Sequence, residues 1–89
     1  MNTVVVAEPR AASVEVTADA ICVALVDGRT VSVPLAWSWR LLQASPQQRA
    51  NVELLGSGAI IRWPEVDEDI SVEGMLWGTP APRPSTVVR

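Results

Sequence analysis

Ile21-Cys22-Val23-Ala24-Leu25-Val26-Asp27-Gly28-Arg29-Thr30-Val31-Ser32-Val33 decides the fold class of this 89-residue chain. Ile21 to Val26 is apolar on both faces and rich in β-branched residues, the composition of a central strand. Asp27-Gly28 then separates it from a run in which Val31 and Val33 alternate with Thr30 and Ser32. That pattern predicts a hairpin closed by two residues, both at positive φ, with the two valines facing inward. Pro34 lacks the N–H that a ladder needs and ends the strand. Upstream, Val14 and Val16 alternate with Ser13, Glu15 and Thr17, which predicts a strand with one wet face. Ala18-Asp19-Ala20 reads as the turn between them, completing an antiparallel meander.

Downstream the period changes. Leu35, Trp39 and Leu42 recur at helical spacing, with Arg40 off that face, and predict one short helix over 35–42. Ser45-Pro46-Gln47-Gln48 carries an N-cap serine, a proline at the first helical position and the glutamine of a capping box. A second helix is expected from there to about Leu55, stopped by Gly56-Ser57-Gly58. Ala59 to Trp63 reads as a further strand, with Ala59, Ile61 and Trp63 on one face and Pro64 at its end. Ser71 caps a last helix that ends at Leu76 or Trp77, before Gly78. Strands, helices, strand and helix make an α+β domain: a small antiparallel sheet, a β-meander plus a further strand, packed against two or three short helices. The folded part is expected over 13–78. Residues 1–12 are an N-terminal segment, with an edge strand at Thr3–Val6 and a linker over 7–12. Residues 79–89, with three prolines, are an extended tail.

Apolar residues make up 48% of the chain, enough for a core and too many for a disordered protein. A chain of this length buries about 60% of its unfolded surface. No run reaches the roughly 18 apolar residues of a membrane span, and the N-terminus has neither the basic start nor the apolar stretch of a signal peptide. A cytoplasmic protein is expected. Cys22 is the one cysteine, so no intrachain disulfide forms, and its apolar neighbours make it a small buried residue. There is no histidine and no lysine; all seven positive side chains are arginines, as a GC-rich genome would encode. General-base catalysis at neutral pH, the commonest metal ligand, Schiff-base chemistry and the phosphate-binding lysine are thereby missing. Neither an enzyme nor a cofactor is expected.

The net charge of −3 is unevenly spread. Residues 64–78 hold Glu65, Asp67, Glu68, Asp69 and Glu73 and no arginine, a local charge of −5. Three readings of this segment stay open. Asp67, Glu68 and Asp69 offer oxygen ligands for a hard cation, but their spacing is not that of an EF-hand loop. Asp67 or Asp69 accepts backbone N–H groups in a turn, and carboxylates ahead of Ser71 favour the positive end of the helix that follows. The third is an anionic contact surface that speeds encounter with a basic partner and fixes its orientation. An acidic patch repels phosphate backbones, so nucleic-acid binding is disfavoured.

Trp39 and Trp63 fall on core-facing positions, while Trp37 and Trp77 are candidates for exposure at an interface. Arg62 is expected to pair with Glu65 or with an acid on a neighbouring strand. Arg29, Arg40 and Arg49, if brought together, would form a positive face.

The turn Asp27-Gly28-Arg29, the run Val33-Pro34-Leu35 leading to Trp37 and Arg40-Leu41, Ala44-Ser45-Pro46 with Gln48-Arg49, and Ile61-Arg62-Trp63-Pro64 followed by Asp67-Glu68-Asp69-Ile70-Ser71-Val72 and Leu76 together resemble a small bacterial family, domain of unknown function 2442. The likeness spans roughly residues 13–78, and the Trp-Pro-x-x-Asp-Glu-Asp-Ile-Ser-Val run is its most specific part. The family usually has an aromatic–Pro–Arg–Leu step where this chain has Ser38-Trp39-Arg40-Leu41, and often tryptophan where it has Val52. The resemblance implies a small α+β domain without established enzymatic activity. It also implies a neighbouring gene for another small protein, for which toxin–antitoxin pairing is suggested.

Residues and resemblance together lead to one expectation: a non-enzymatic protein-interaction module, the antitoxin-like partner of a two-gene module. It would bind the basic product of the adjacent gene through Glu65, Asp67, Glu68, Asp69 and Glu73, with Trp77, Trp37 and Arg40 as further contacts. The alternatives are a dimeric DNA-binding transcriptional regulator that uses the arginines, a metal-dependent enzyme built on the acidic cluster, and an uncharacterised structural domain. The exposed edge of a small sheet also allows a homodimer.

Overall fold

The structure, a computed structural model, describes residues 8–78. The expected strand at Thr3–Val6 and the expected tail over 79–89 lie outside them. The chain runs β1 (Ala11–Val16), β2 (Ala20–Leu25), β3 (Thr30–Pro34), a 3-10 turn (Leu35–Trp37), α1 (Trp39–Leu42), α2 (Pro46–Ala50), β4 (Glu53–Leu55), a second 3-10 turn (Gly56–Gly58), β5 (Ile60–Trp63), β6 (Glu68–Ser71) and α3 (Val72–Trp77). The α+β class stands, with the strands divided between two antiparallel sheets, β1-β2-β3 and β4-β5-β6. None of the described helices is long and apolar enough to cross a membrane.

The first sheet follows the alternation in its sequence. Ile21, Val23 and Leu25 of β2 are buried, and so is Val33 of β3. Val14, Val16 and Val31 pack against them from the flanking strands. Register places Val14 and Val31 on either side of Val23, so one face of the sheet is a continuous apolar surface. The Thr17 hydroxyl accepts from the N–H groups of Asp19 and Ala20, at 3.1 and 2.9 Å, and closes the first turn. Ala11 and Ala12, expected in a linker, instead begin β1, with Ala11 in the core. Its neighbour there is Gly58: a Cβ on Gly58 would lie 2.4 Å from the Ala11 carbonyl oxygen. Only glycine lets these two backbones approach so closely.

The β2–β3 connection departs from the two-residue turn. Gly28 has φ 96° and Asp27 does not have a positive φ. The Leu25 carbonyl accepts from Gly28, and the Arg29 carbonyl accepts from Leu25. The loop therefore has three residues, Val26 to Gly28, the arrangement in which a turn is followed by one left-handed glycine. Asp27 supplies the reason: its carboxylate accepts from the Arg29 N–H at 3.0 Å and from Arg29 Nε at 2.8 Å, which holds the loop open by one residue.

The helix expected over 35–42 is broken at Ser38, whose backbone is extended at φ −121° and ψ 101°. The break rotates the following turn, so Leu35 and Leu41 are buried while Leu42 is exposed. α2 has the full capping box of Ser45 and Gln48, but ends at Ala50 instead of near Leu55. Residues 53–55 pair with β5, Leu54 opposite Ile61. The Trp63 indole donates to the Arg49 carbonyl at 3.1 Å, engaging an acceptor that the next turn of helix would have used. Tertiary pairing overrides helix propensity there. Ile61 and Trp63 of β5, Leu35 and Leu41, and Val72 and Met75 of α3 join the core face of the first sheet in one apolar cluster.

Candidate functional site

The acidic segment is a hairpin, β5 and β6 joined by Pro64 to Asp67, running directly into α3. Asp67 turns the chain at φ 55°, a left-handed conformation that aspartate tolerates better than most residues. Trp63 then faces Glu68 across the hairpin, Arg62 faces Asp69 and Ile61 faces Ile70. Period two along β6 turns Glu68 and Ile70 inward and leaves Asp69 and Ser71 outside. The Ser71 hydroxyl accepts from the Gly74 N–H at 3.1 Å and caps α3, while Gly78, at φ 81°, ends it.

The five carboxylates do not form one ridge. Glu65, Asp67, Asp69 and Glu73 are exposed; Glu68 is 3% exposed. Glu68 had been expected at the surface, but the pleat of β6 turns it into the protein. Its Oε2 accepts from the buried Ser38 hydroxyl at 2.5 Å, and its Oε1 accepts from the Asp69 N–H at 3.2 Å. Arg40 Nη1 lies 3.6 Å from Oε1. The backbone amide bound by a carboxylate here is thus held by Glu68, where Asp67 or Asp69 had been considered for that role. Ser38 works in both directions, because its Oγ also accepts from the Leu41 N–H at 3.2 Å and caps α1. One serine therefore starts a helix and satisfies a carboxylate thirty positions away, which burial would otherwise penalise.

Arg62, central on β5, donates to Asp69 at 2.8 Å and to Asp67 at 3.1 Å. Of the two partners expected for it, the acid on the neighbouring strand is the one it takes. These bonds raise the Arg62 pKa above its ordinary value, the bond to Asp69 contributing most, then the bond to Asp67. Glu65 is held by Asn51 Nδ2 at 2.7 Å. The carboxylates thus diverge toward separate partners, and among the described residues no three Asp, Glu, His or Cys side chains are gathered as a metal would need.

The tryptophans divide differently from the helical reading. Trp63 is buried, and Trp37 packs against the core. Trp39 is half-buried, with the Arg40 guanidinium 4.9 Å from its ring centre. The Ser38 break explains the exchange, because the two residues no longer share one helix. Trp77 is 79% exposed at the end of α3, one turn beyond Glu73 and next to the exposed Leu76. Arg29 pairs with Asp27, Arg40 with Glu68, and Arg49 donates to the carbonyls of Leu41 and Leu42 at the end of α1. Local acceptors engage these arginines separately, so the positive face required for DNA binding gains no support.

Sequence reasoning missed Ser38 and the inward turn of Glu68. A signal was present, since Glu68 and Ile70 alternate with Asp69 and Ser71 as strand residues do.

No curated protein matches the chain. Among solved structures, a protein of unknown function from Rhodospirillum rubrum ATCC 11170 is 32% identical, with a TM-score of 0.73 over 86% of this chain and 95% of that one. The solution structure of the uncharacterized protein CV0863 from Chromobacterium violaceum, 23% identical, shares the fold, with a TM-score of 0.70 over 82% of this chain and 69% of that one. The model of the family described as "Protein of unknown function (DUF2442)" matches residues 11–81, and the chain belongs to that family.

Proposed function

We propose that this domain is a non-enzymatic protein-interaction module that binds a basic partner through the outer side of the β5–β6 hairpin and α3. The observation that carries this reading is the exposed indole of Trp77, one helical turn beyond the exposed Glu73. An exposed tryptophan beside carboxylates supplies both parts of a protein contact: an apolar anchor and a charge that orients the partner. Glu65, Asp67 and Asp69 extend the anionic surface along the hairpin, with Arg62 offsetting part of their charge. Glu68 lies beneath this surface and supports it. Trp37 contributes through packing under the end of α3, where its ring lies 3.9 Å from the position a Gly78 Cβ would occupy. We assign the partner to the product of the adjacent gene, with this chain in the antitoxin-like role that the family resemblance suggests.

Co-expression with the neighbouring gene's product tests the proposal. The two chains are expected to co-purify at low salt and to separate progressively as salt is raised, because exposed charges are screened beyond about 10 Å at 0.1 M salt. Failure to co-purify at low salt would refute it.

A further inference from the structure

β4 is an open edge of the second sheet. Among the described strands it pairs with β5 alone, and Glu53, Leu54 and Leu55 are all exposed. Leu54 is 39% exposed and Leu55 42%, one toward each face of the sheet. An apolar edge with unpaired N–H and C=O groups is a template for a further strand, and native proteins cover or block it. Neither a proline nor a bulge blocks β4.

Register fixes what an added strand must carry. Across the sheet, Leu54, Ile61 and Ile70 form one row, and Leu55, Ile60 and Ser71 the next. Glu53 heads a third row, ahead of Arg62 and Asp69. Arg62 is turned toward β6, where it bonds Asp69 and Asp67, and among the described residues Glu53 has no ion pair or side-chain hydrogen bond. An antiparallel strand that continued the rows would set an apolar residue opposite Leu55, another opposite Leu54, and then a cation opposite Glu53. Outside the described residues, Val87-Val88-Arg89 carries that order, after Thr86 and beyond the last proline, Pro84. Its β-branched residues suit a strand. Thr3-Val4-Val5-Val6 is β-branched too, but has no cation to meet Glu53. The reach is sufficient. The row from Leu55 ends at Ser71, where α3 starts, so the seat of Val87 is three strand spacings from Ser71, about 14 Å. α3 carries the chain about 10 Å from Ser71. The nine residue steps from Gly78 to Val87 include three prolines and span about 28 Å in the extended form that proline favours.

We propose that the Val87-Val88-Arg89 segment of the same chain pairs antiparallel with β4, Val88 opposite Leu54 and Arg89 opposite Glu53, as a fourth strand of the second sheet. The segment covers Leu54 and Leu55, gives Glu53 its counter-charge and closes this edge to other chains. The seat lies on the side of β5 away from β6 and does not depend on the partner assigned to the acidic hairpin.

The test is NMR of the full ¹⁵N,¹³C-labelled chain, read by NOEs and by amide hydrogen exchange. NOEs linking Val88 with Leu54 are expected. Amides of β4 and of residues 87–89 are expected to exchange about tenfold or more slowly than in Val88→Asp, which sets a charge against the apolar row. Arg89→Glu is expected to reduce that protection about twofold to fivefold, the range of a cross-strand charge pair. Glu53→Arg combined with Arg89→Glu is expected to restore it, which an unseated segment would not do. Core amides report that each variant stays folded. Residues 87–89 exchanging as an unstructured peptide does, with no NOE to β4, would overturn the proposal. NOEs from β4 to residues 3–6 instead would give the seat to the N-terminal segment and overturn the assignment. Protection lost on dilution, as light scattering falls from dimer to monomer, would place the strand in a second copy and overturn its seating in the same chain. None of these results bears on the hairpin surface, and a failure of that surface leaves this pairing standing.

Discussion

The Ser38 hydroxyl and the Glu68 carboxylate meet at 2.5 Å where both side chains are buried, joining α1 to β6. A charge-assisted bond of this length is stronger than one between neutral groups, and leaving a buried partner unsatisfied costs about 1–3 kcal/mol. Ser38→Ala and Glu68→Ala are each expected to lower stability by about that amount. In a double-mutant cycle read by urea unfolding, the combined change is expected to cost less than the sum of the single changes, because the second removes a group already orphaned by the first. Strict additivity would mean that the bond contributes nothing specific.

The glycines give a sharper comparison. Gly28 and Gly58 have nearly equal φ, 96° and 98°, but no heavy atom lies within 4 Å of where a Gly28 Cβ would stand, whereas a Gly58 Cβ would strike the Ala11 backbone. Gly28→Ala then carries conformational strain alone, about 1–2 kcal/mol. Gly58→Ala adds overpacking of about 1–3 kcal/mol and displaces the start of β1. Thermal melts of the two variants measure the difference directly; equal losses would mean that the approach of Gly58 to Ala11 yields without cost.

Trp63, the last residue of the central strand β5, is fully buried and donates to the Arg49 carbonyl. Trp63→Ala is expected to cost about 3–5 kcal/mol, enough to threaten folding of a domain this small. Trp63→Phe keeps most of the ring volume but loses the bond to the Arg49 carbonyl, and a smaller loss is expected. Chemical denaturation of both variants checks the order.

Acid stability has an identifiable contributor in Asp27. The N–H of Arg29 bonding its carboxylate is the largest cause holding its pKa below the ordinary carboxylate value, with the Arg29 side chain adding to it. A depressed folded pKa means stability that is present above the unfolded pKa and lost as pH falls through the folded one. Asp27→Asn is therefore expected to lower the melting temperature slightly at neutral pH, where the contribution is fully present, and to converge with the unaltered chain as pH falls below the ordinary carboxylate range. The effect is small because the loop is exposed and water screens the pair. Arg62, whose pKa is raised, keeps its charge throughout any working pH range.

Particular residues show how far the sequence could be read. The alternation of Val31 and Val33 with Thr30 and Ser32, the Ser45–Gln48 capping box, and Ser71 with Gly78 around α3 are local patterns, and each appears in the fold. Ser38 was not legible, because what breaks the helix there is a bond to a residue thirty positions on. β4 looked helical because its pairing with β5, not its own propensity, decides its state. β6 was hidden by its charge: a strand whose inward residue is a carboxylate does not read as half apolar. The same inversion moved Glu68 out of the expected contact surface, while the place of Trp77 at the end of α3 was legible from Gly78 but its exposure was not, since an indole there could equally have packed on the core.

The exposed carboxylates separate stability from binding. Among the described residues the carboxylates of Asp67 and Asp69 bond Arg62, at the surface, where such pairs contribute little to folding. Asparagine at 67 also tolerates the left-handed backbone. The most direct measurement is calorimetric affinity for the co-purified partner, taken for the unaltered chain, for Trp77→Ala and for Asp67→Asn with Asp69→Asn, alongside the melting temperature of each free protein. Trp77→Ala is expected to weaken binding by about tenfold or more, and the paired asparagines to weaken it and reduce its salt dependence, with melting temperatures nearly constant. Unchanged affinity in both variants would contradict an interaction surface on the hairpin and α3.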